Sequence, residues 1–283
     1  VNRTVSKRTD VAEAIANALS HAPGGLFSDF DGTLSPVAPT PDSAEPAPGV
    51  LETLGVMATK VATVGIVTGR GIADVKARVN VPGLVYVGNH GLEWQEGDEH
   101  HVHPAGLAAQ AVLPEALREV EQRLVAHVSN EGVIFEDKVY SGSIHYRLAP
   151  DPGAVRDVLE PILRDIAGEY GFWVSDGKMV FELRPGEAIN KGSAVRQMIH
   201  DRDLKSAVFL GDDVTDADAF QVLQELRKER GIATVTVGVL TLDTDPRVIE
   251  ASDYLLDGVD DVVSMMLELE SLLPPVDATE ESR

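Results

Sequence analysis

Residues 26–36 read LFSDFDGTLSP, an apolar run that stops on two aspartates, Asp29 and Asp31, with Gly32 directly behind them. Neighbouring carboxylates repel, and burial penalises their charged forms further. A strand end has little structural use for such a pair, whereas a site that holds a cation does. Residues 26–30 read as a short buried strand. The two-residue period of a strand lets Asp29 and Asp31 project from the same side.

Working outward, the same kind of apolar run recurs. VATVGIV (61–67) leads into Thr68, Gly69 and Arg70, LVYVGNHG spans 84–91, AVFLGDD spans 207–213 and ATVTVGV spans 233–239. Between these runs lie helical patterns over 10–20, 50–58, 72–79, 191–201, 216–230 and 259–273, the third of them after a turn at 69–71. In the first, Asp10 caps a face of Val11, Ile15 and Leu19. Strands alternating with helices predict a parallel sheet covered on both faces. Residues 36–48, rich in proline and acid, read as an extended loop.

Between about 104 and 185 the pattern changes. A long helix over 107–127 is followed by the strands GVIFEDK (132–138) and SGSIHYRLA (141–149). A second helix over 153–170 carries Val155, Leu159, Ile162 and Ile166 on one face, and FWVS (172–175) and KMVFELR (178–184) follow. Helix-strand-strand twice over predicts an antiparallel sheet with helices on one side. The expected organisation is an α/β core formed by 1–103 and 186–283, with an α+β unit, 104–185, inserted into it. The polar tail from Pro274 is expected to fray.

Bulk composition narrows the function. The chain has 283 residues and a formal net charge of -22, with a pI near 4.6. Such a surface repels nucleic-acid backbones and anionic membranes. It also repels a phosphorylated substrate, which would need a local cationic patch or a metal. The alternative is that the acidity serves solubility alone. The absence of cysteine excludes disulfides, thiolate catalysis and cysteine metal sites. No apolar stretch reaches the length of a membrane span, and Asp10 and Glu13 interrupt any signal-like core near the N-terminus. A cytoplasmic protein is expected.

In an open α/β sheet, function gathers at the carboxyl ends of strands. Here those ends carry Asp29 and Asp31, then Thr68 and Arg70, then Asp212 and Asp213 with Asp216 a turn later, while Lys191 opens the helix after the insert. These residues form a set suited to phosphoryl transfer. A carboxylate can attack phosphorus, and a second can protonate the leaving oxygen and then activate water. Gly32 permits a sharp turn whose N–H groups approach a phosphate. Lys191 and the Thr68 hydroxyl can hold phosphate oxygens, and a hard cation such as magnesium on Asp212 explains why so many acids sit together.

Five segments in order carry a resemblance: DFDGTLSP (29–36), TGR (68–70), GNHGLE (88–93), KGSA (191–194) and GDDVTDADAF (211–220). They resemble the haloacid-dehalogenase superfamily and, more narrowly, its trehalose-6-phosphate phosphatases, over nearly the whole chain. The resemblance implies a Rossmann-like core with a mobile α+β cap and magnesium-dependent hydrolysis of trehalose 6-phosphate. Asp29 then matches the nucleophile, Asp31 the general acid/base, and Thr68 and Lys191 the phosphate-holding pair. Asp212 matches the metal ligand, joined by Asp29 and the main-chain carbonyl of Asp31. Asp216 is expected to support or bind the metal. Asp213 is expected to support it or to cap the following helix.

FEDK (135–138) and FELRP (181–185) match the stretches that face the distal sugar, making Glu136, Lys138 and Glu182 candidate contacts. Asn89 and His90, with Glu93, match a segment near the core–cap seam. Two positions depart from the family pattern: Thr68 where serine is usual, and Ala217 where glutamate is usual. The expected partner is a small sugar phosphate, and the resemblance leaves room for association with a trehalose-phosphate synthase. The rival readings are a phosphatase of sucrose phosphate or of a glucosyl- or mannosyl-phosphoglycerate, a phosphomutase, and a non-catalytic sugar-phosphate sensor.

Each candidate also has a plainer reading. Thr68 can be a turn residue, and Arg70 can pair with a surface acid. Glu136, Lys138 and Glu182, with His145 and Arg147 on the same sheet, can be a solvated face. His90 can be a turn histidine. His100, His101 and His103 read as a polar loop rather than a zinc site. Trp94 and Trp173 read as core or seam residues rather than sugar-stacking ones.

Overall fold

The computed structural model describes residues 4–186, 188–242 and 244–274; the tail expected to fray lies outside them from residue 275 on. The first part of the chain runs α1 (Arg8–Leu19), β1 (Gly24–Ser28), α2 (Val50–Met57), β2 (Thr63–Val67), α3 (Ile72–Arg78), β3 (Leu84–Gly88), β4 (Glu93–Glu96) and β5 (Glu99–Val102). The insert follows as α4 (Pro104–Gln110), α5 (Leu113–Val125), β6 (Ile134–Asp137), β7 (Gly142–His145), α6 (Pro152–Tyr170), β8 (Trp173–Gly177) and β9 (Val180–Arg184). The chain then returns through α7 (Lys191–Asp201), β10 (Ser206–Gly211), α8 (Val214–Arg230), β11 (Ala233–Val239), α9 (Pro246–Ala251), β12 (Tyr254–Leu256) and α10 (Gly258–Leu272).

The larger sheet has the order β12-β11-β10-β1-β2-β3-β4-β5. Its first six strands are parallel, and β4 and β5 add an antiparallel hairpin at one edge. Successive side chains on each central strand feed opposite faces. Leu26, Val208 and Leu210 join α1, α2, α3 and α10 in one apolar cluster. Phe27, Ala207 and Phe209 join α7, α8 and α9 in another. The parallel, doubly covered sheet expected from the alternation is therefore present. The smaller sheet is antiparallel, in the order β6-β7-β9-β8. With α4, α5 and α6 it shares a separate apolar cluster drawn wholly from 109–183.

Several local expectations are corrected. Residues 99–102 form β5 rather than a loop, so His100 and His101 lie on the sheet's outer strand and only His103 sits beyond it. That strand is mostly exposed, so it lacks the apolar alternation by which strands are recognised, and its charges suit an edge. The helix expected over 107–127 is two helices, because Pro114 lacks an N–H and sits naturally in the first turn of a new one. Asp10 lies inside the first turn of α1, one turn beyond the cap residue Lys7. The short α9 and β12 had no counterpart in the sequence pattern. Trp94 and Trp173 are 38% and 42% exposed, neither in a core nor in the main cavity.

Candidate active site

β1 ends at Ser28, one residue before the first aspartate. Asp29 N–H makes the last ladder bond to Leu210 at 2.9 Å, after which the N–H groups of Leu34 and Ser35 both turn back to the Phe30 carbonyl. The chain therefore leaves the sheet between the two acids, and they enter different surroundings. Asp29 is buried. It accepts from Phe30 N–H at 2.7 Å and from Lys191 Nζ at 2.8 Å. Asp31 is 41% exposed at its side chain and is gripped by Arg70, from Nε at 2.7 Å and from the second terminal nitrogen at 2.8 Å.

Asp29, Thr68 and Asp212 follow the adjacent central strands β1, β2 and β10. The crossovers from the neighbouring strands β1 and β10 run in opposite directions there, the place where an open sheet leaves a crevice. Lys191 is the first residue of α7, capped by Asn190, which accepts from Ser193 N–H at 2.9 Å. A lysine in a helix's first turn works against the helix dipole, so it needs partners. It bridges Asp29 and Asp216, the latter at 2.7 Å, and is wholly buried. Its pKa is raised: burial alone would lower it, and the two carboxylates overcome that.

Asp216 also accepts from the N–H groups of Asp212 at 3.1 Å and Asp213 at 3.0 Å. Asp213 caps α8, its side chain accepting from Val214 N–H at 2.7 Å. Glycines let these acids close up. A Cβ on Gly32 would meet Asp212 at 2.3 Å, and one on Gly211 would meet Asp216 at the same distance.

Asp29, Asp212 and Asp216 each offer an oxygen, and the three oxygens lie within 4.8 Å of one another. Burial, first, and mutual repulsion push all three carboxyls upward, Asp212 to about 7 and Asp216 to about 6. Lys191 is the one buried cation among them. An all-oxygen, charge-deficient cluster of this kind fits a hard divalent cation. Asp31 contributes no side-chain oxygen to it, and Asp213 spends its carboxylate on the cap.

A cavity of about 220 Å³ lies above this cluster. Its core side carries Asp29, Asp31, Thr68, Arg70, His90, Lys191, Asp212 and Asp213, and the smaller sheet supplies Glu136, Lys138, His145, Arg147, Lys178 and Glu182. The loop at 37–41 closes a third side. Thr68 Oγ1 accepts from Arg70 N–H at 3.2 Å, which leaves its own O–H to donate.

Opposite the acids, Glu182 accepts from Lys138 Nζ at 3.1 Å and Ser143 Oγ at 3.3 Å. His90 Nε2 lies 2.9 Å from Glu182. Neither nitrogen of that buried ring makes an aligned hydrogen bond, and burial lowers its pKa against the pull of Glu182. Glu136 pairs with His145 at 3.0 Å. The solvated-face reading of Glu136, Lys138 and Glu182 therefore gives way to a shared cavity wall.

Of two expected substrate contacts, Asn89 lies outside the cavity and Arg70 lies in it with its donors engaged. The Asn89 amide donates to Glu93 at 2.7 Å and to the Lys138 carbonyl at 3.2 Å, while its oxygen accepts from Ser141. It fastens the smaller unit to the core. Arg70 lines the cavity, but each guanidinium nitrogen already donates, to Asp31, to Asp74 at 2.6 Å and to the Pro41 carbonyl at 3.0 Å. Lys178 is the residue the sequence reading passed over. The pattern over 178–184 predicts a strand that includes it, but it lies in the hairpin turn directly after Gly177, which carries it into the cavity.

Comparison with known proteins follows the same line. The family model described as trehalose-phosphatase matches residues 27–245. The trehalose-phosphate phosphatase of Mycobacterium tuberculosis (strain ATCC 25618 / H37Rv) is 34% identical over 271 residues, covering 90% of this chain and 67% of that protein. That of Mycobacterium avium (strain 104) is 32% identical over 280 residues, covering 92% and 69%.

Among solved structures, the C-terminal domain of Candida albicans trehalose-6-phosphate phosphatase superposes with a TM-score of 0.77 at 21% identity, covering 96% of this chain and 99% of that one. The C-terminal domain of the Candida albicans trehalose synthase regulatory protein gives 0.73 at 13%, covering 94% and 99%. These two likenesses speak for the fold alone.

Proposed function

The chain belongs to the trehalose-phosphatase family and is a phosphatase, and on that premise we propose that it hydrolyses trehalose 6-phosphate, in the cytoplasm, to trehalose and inorganic phosphate. One observation carries the reading. A single cavity joins the acid cluster to a wall of hydrogen-bonding groups, Glu136, Lys138, Glu182 and His90, that suits the hydroxyls of a neutral sugar. His90 Nδ1, buried and without a partner, calls for a polar ligand there.

An Asp29 oxygen attacks phosphorus, and the bond from phosphorus to the sugar oxygen breaks. Asp31, protonated at the start of the cycle with one oxygen released from Arg70, gives that oxygen its proton. Asp31 then takes a proton from water, whose oxygen attacks the aspartyl-phosphate and frees Asp29. Lys191 and the Thr68 hydroxyl hold the phosphoryl oxygens. Arg70 grips the ionised Asp31 carboxylate through both oxygens and so positions the form that takes the proton from water. Magnesium, held by Asp29, Asp212 and Asp216 with the Asp31 carbonyl, would neutralise charge on the phosphoryl group when bound. The smaller unit acts as a cap that covers the sugar and excludes water.

The test is free phosphate released from a panel of sugar phosphates, with magnesium and then with a chelator. A magnesium-dependent preference for trehalose 6-phosphate is expected. A stronger preference for another sugar phosphate would overturn the substrate assignment, and full activity in the chelator would overturn the metal.

A further inference from the structure

Lys178 crosses from the cap to the acid cluster. It stands at the tip of the hairpin between β8 and β9, where Met179 adopts a positive φ of 63°. The tip is held from the end of β7: Tyr146 N–H donates to the Met179 carbonyl at 3.1 Å, and Arg147 donates to the Lys178 carbonyl at 3.0 Å. From this fixed base Nζ reaches Asp212 at 3.3 Å and Thr241 Oγ1, also on the core, at 3.2 Å. Among the described residues no other group donates to the Asp212 carboxylate.

The same oxygens of Asp212 are therefore open to two kinds of cation, a lysine on the cap and an ion in the cluster. An ammonium beside a bound divalent ion is repelled unless an anion stands between them. A phosphate group is such an anion. We propose that Lys178 ties the seating of the cap to the contents of the cluster. It pairs with Asp212 when the cluster holds no other cation, lets go when a divalent ion takes Asp212, and re-engages on the oxygens of a phosphate group. The cap then closes fully over a phosphate ester and not over an unphosphorylated sugar. Linkage makes the effect reciprocal: what Lys178 contributes to cap seating it subtracts from the affinity for the ion.

This rests on the cluster being a cation and phosphate site, and not on which sugar is bound. The experiment titrates magnesium calorimetrically into the metal-stripped full chain, then inorganic phosphate into the magnesium-saturated chain. The wild type, Lys178→Met and Lys178→Arg are compared, with Lys178→Gln taking the place of the methionine variant if that one does not fold. The methionine variant is expected to bind magnesium roughly fivefold more tightly and inorganic phosphate roughly tenfold more weakly, with the arginine variant close to wild type in both. Unchanged magnesium and phosphate affinities in the methionine variant, or weaker magnesium binding, would overturn the proposal alone. A wild-type chain that takes up no magnesium would overturn both it and the metal reading of the cluster.

Discussion

Asp29, buried, and Glu182, its side chain 14% exposed, are carboxylates at one cavity, and their surroundings push them in opposite directions. Asp29 is held well above the usual carboxylate range by burial and by repulsion from Asp216, against the pull of Lys191. For Glu182 burial is again the largest influence and would raise it, but His90, Lys138 and Arg184 together overcome that and hold it well below the usual range. The core end carries three carboxylates around one buried lysine and is short of positive charge. The cap end is already balanced. An unbalanced end suits a metal and the phosphoryl group that the metal brings, whereas a balanced end offers neutral hydroxyls ready-made donors and acceptors and has no call for an ion.

Removing the negative charge at the core end is the most severe way to break this contrast. Asp29→Asn keeps the shape of the side chain, leaves Lys191 its bond to Asp216, and relieves repulsion in the cluster. Phosphate release is expected to fall by at least about 10⁴-fold, while the thermal unfolding midpoint stays level or rises. Retained turnover would remove Asp29 as nucleophile. A collapsed fold would show instead that the core end needs that charge for structure.

Next in size is the division of labour between Asp29 and its neighbour. If Arg70, keeping its hold on the other oxygen, also positions Asp31 as the proton donor, its importance depends on the leaving group. Sugar alkoxides need protonation, whereas p-nitrophenolate departs without it. Arg70→Met is expected to lower kcat on trehalose 6-phosphate by about 10²–10³-fold and kcat on p-nitrophenyl phosphate by only a few-fold. Equal losses on both substrates would mean that Arg70 serves only the water step the two share, or holds the loop at Pro41 and α3 in place, and has no tie to Asp31 as the donor.

The two ends were not equally legible in the sequence. Asp29, Thr68, Lys191 and Asp212 each sit where an apolar strand stops or a helix starts, and those boundaries are written in local hydrophobicity. The sheet's polar edge was not, because β4 and β5 bury too little to show a period. Glu136 and Glu182 could be placed on strands, but which face met the core depends on how the cap docks, and that is a long-range matter. Arg70 and Asp31 are 39 residues apart, and nothing local announces that one holds the other. Lys178 lay hidden for a simpler reason: read as the first residue of a strand it has no direction, and only the turn at Gly177 sends it across to Asp212.

The smallest expected effect is the sharpest test of the contrast, because its sign reverses between the two ends. In the metal-free chain Asp212 has a native pKa of about 7 against an ordinary value of 3.8. The native state therefore binds the extra proton, and the stability linked to it is full below about pH 4 and lost as the pH rises through 7. Glu182 has a native pKa depressed below 4.5. Its contribution is full above that value and lost as the pH falls through the lower, native one. Thermal unfolding of the metal-free chain should therefore show a falling limb between pH 4 and 7 that Asp212→Asn flattens, by on the order of 2–3 kcal/mol. Glu182→Gln should leave that limb alone, flatten the acid side below pH 4.5, and lower stability near pH 7 by on the order of 2–3 kcal/mol, because Lys138 and Arg184 lose their buried counter-ion. Magnesium should remove the Asp212 limb and leave the Glu182 one untouched. If both variants shifted the same limb, the cluster and the cap wall would be one electrostatic unit, and the division between an ion end and a sugar end would have to be given up.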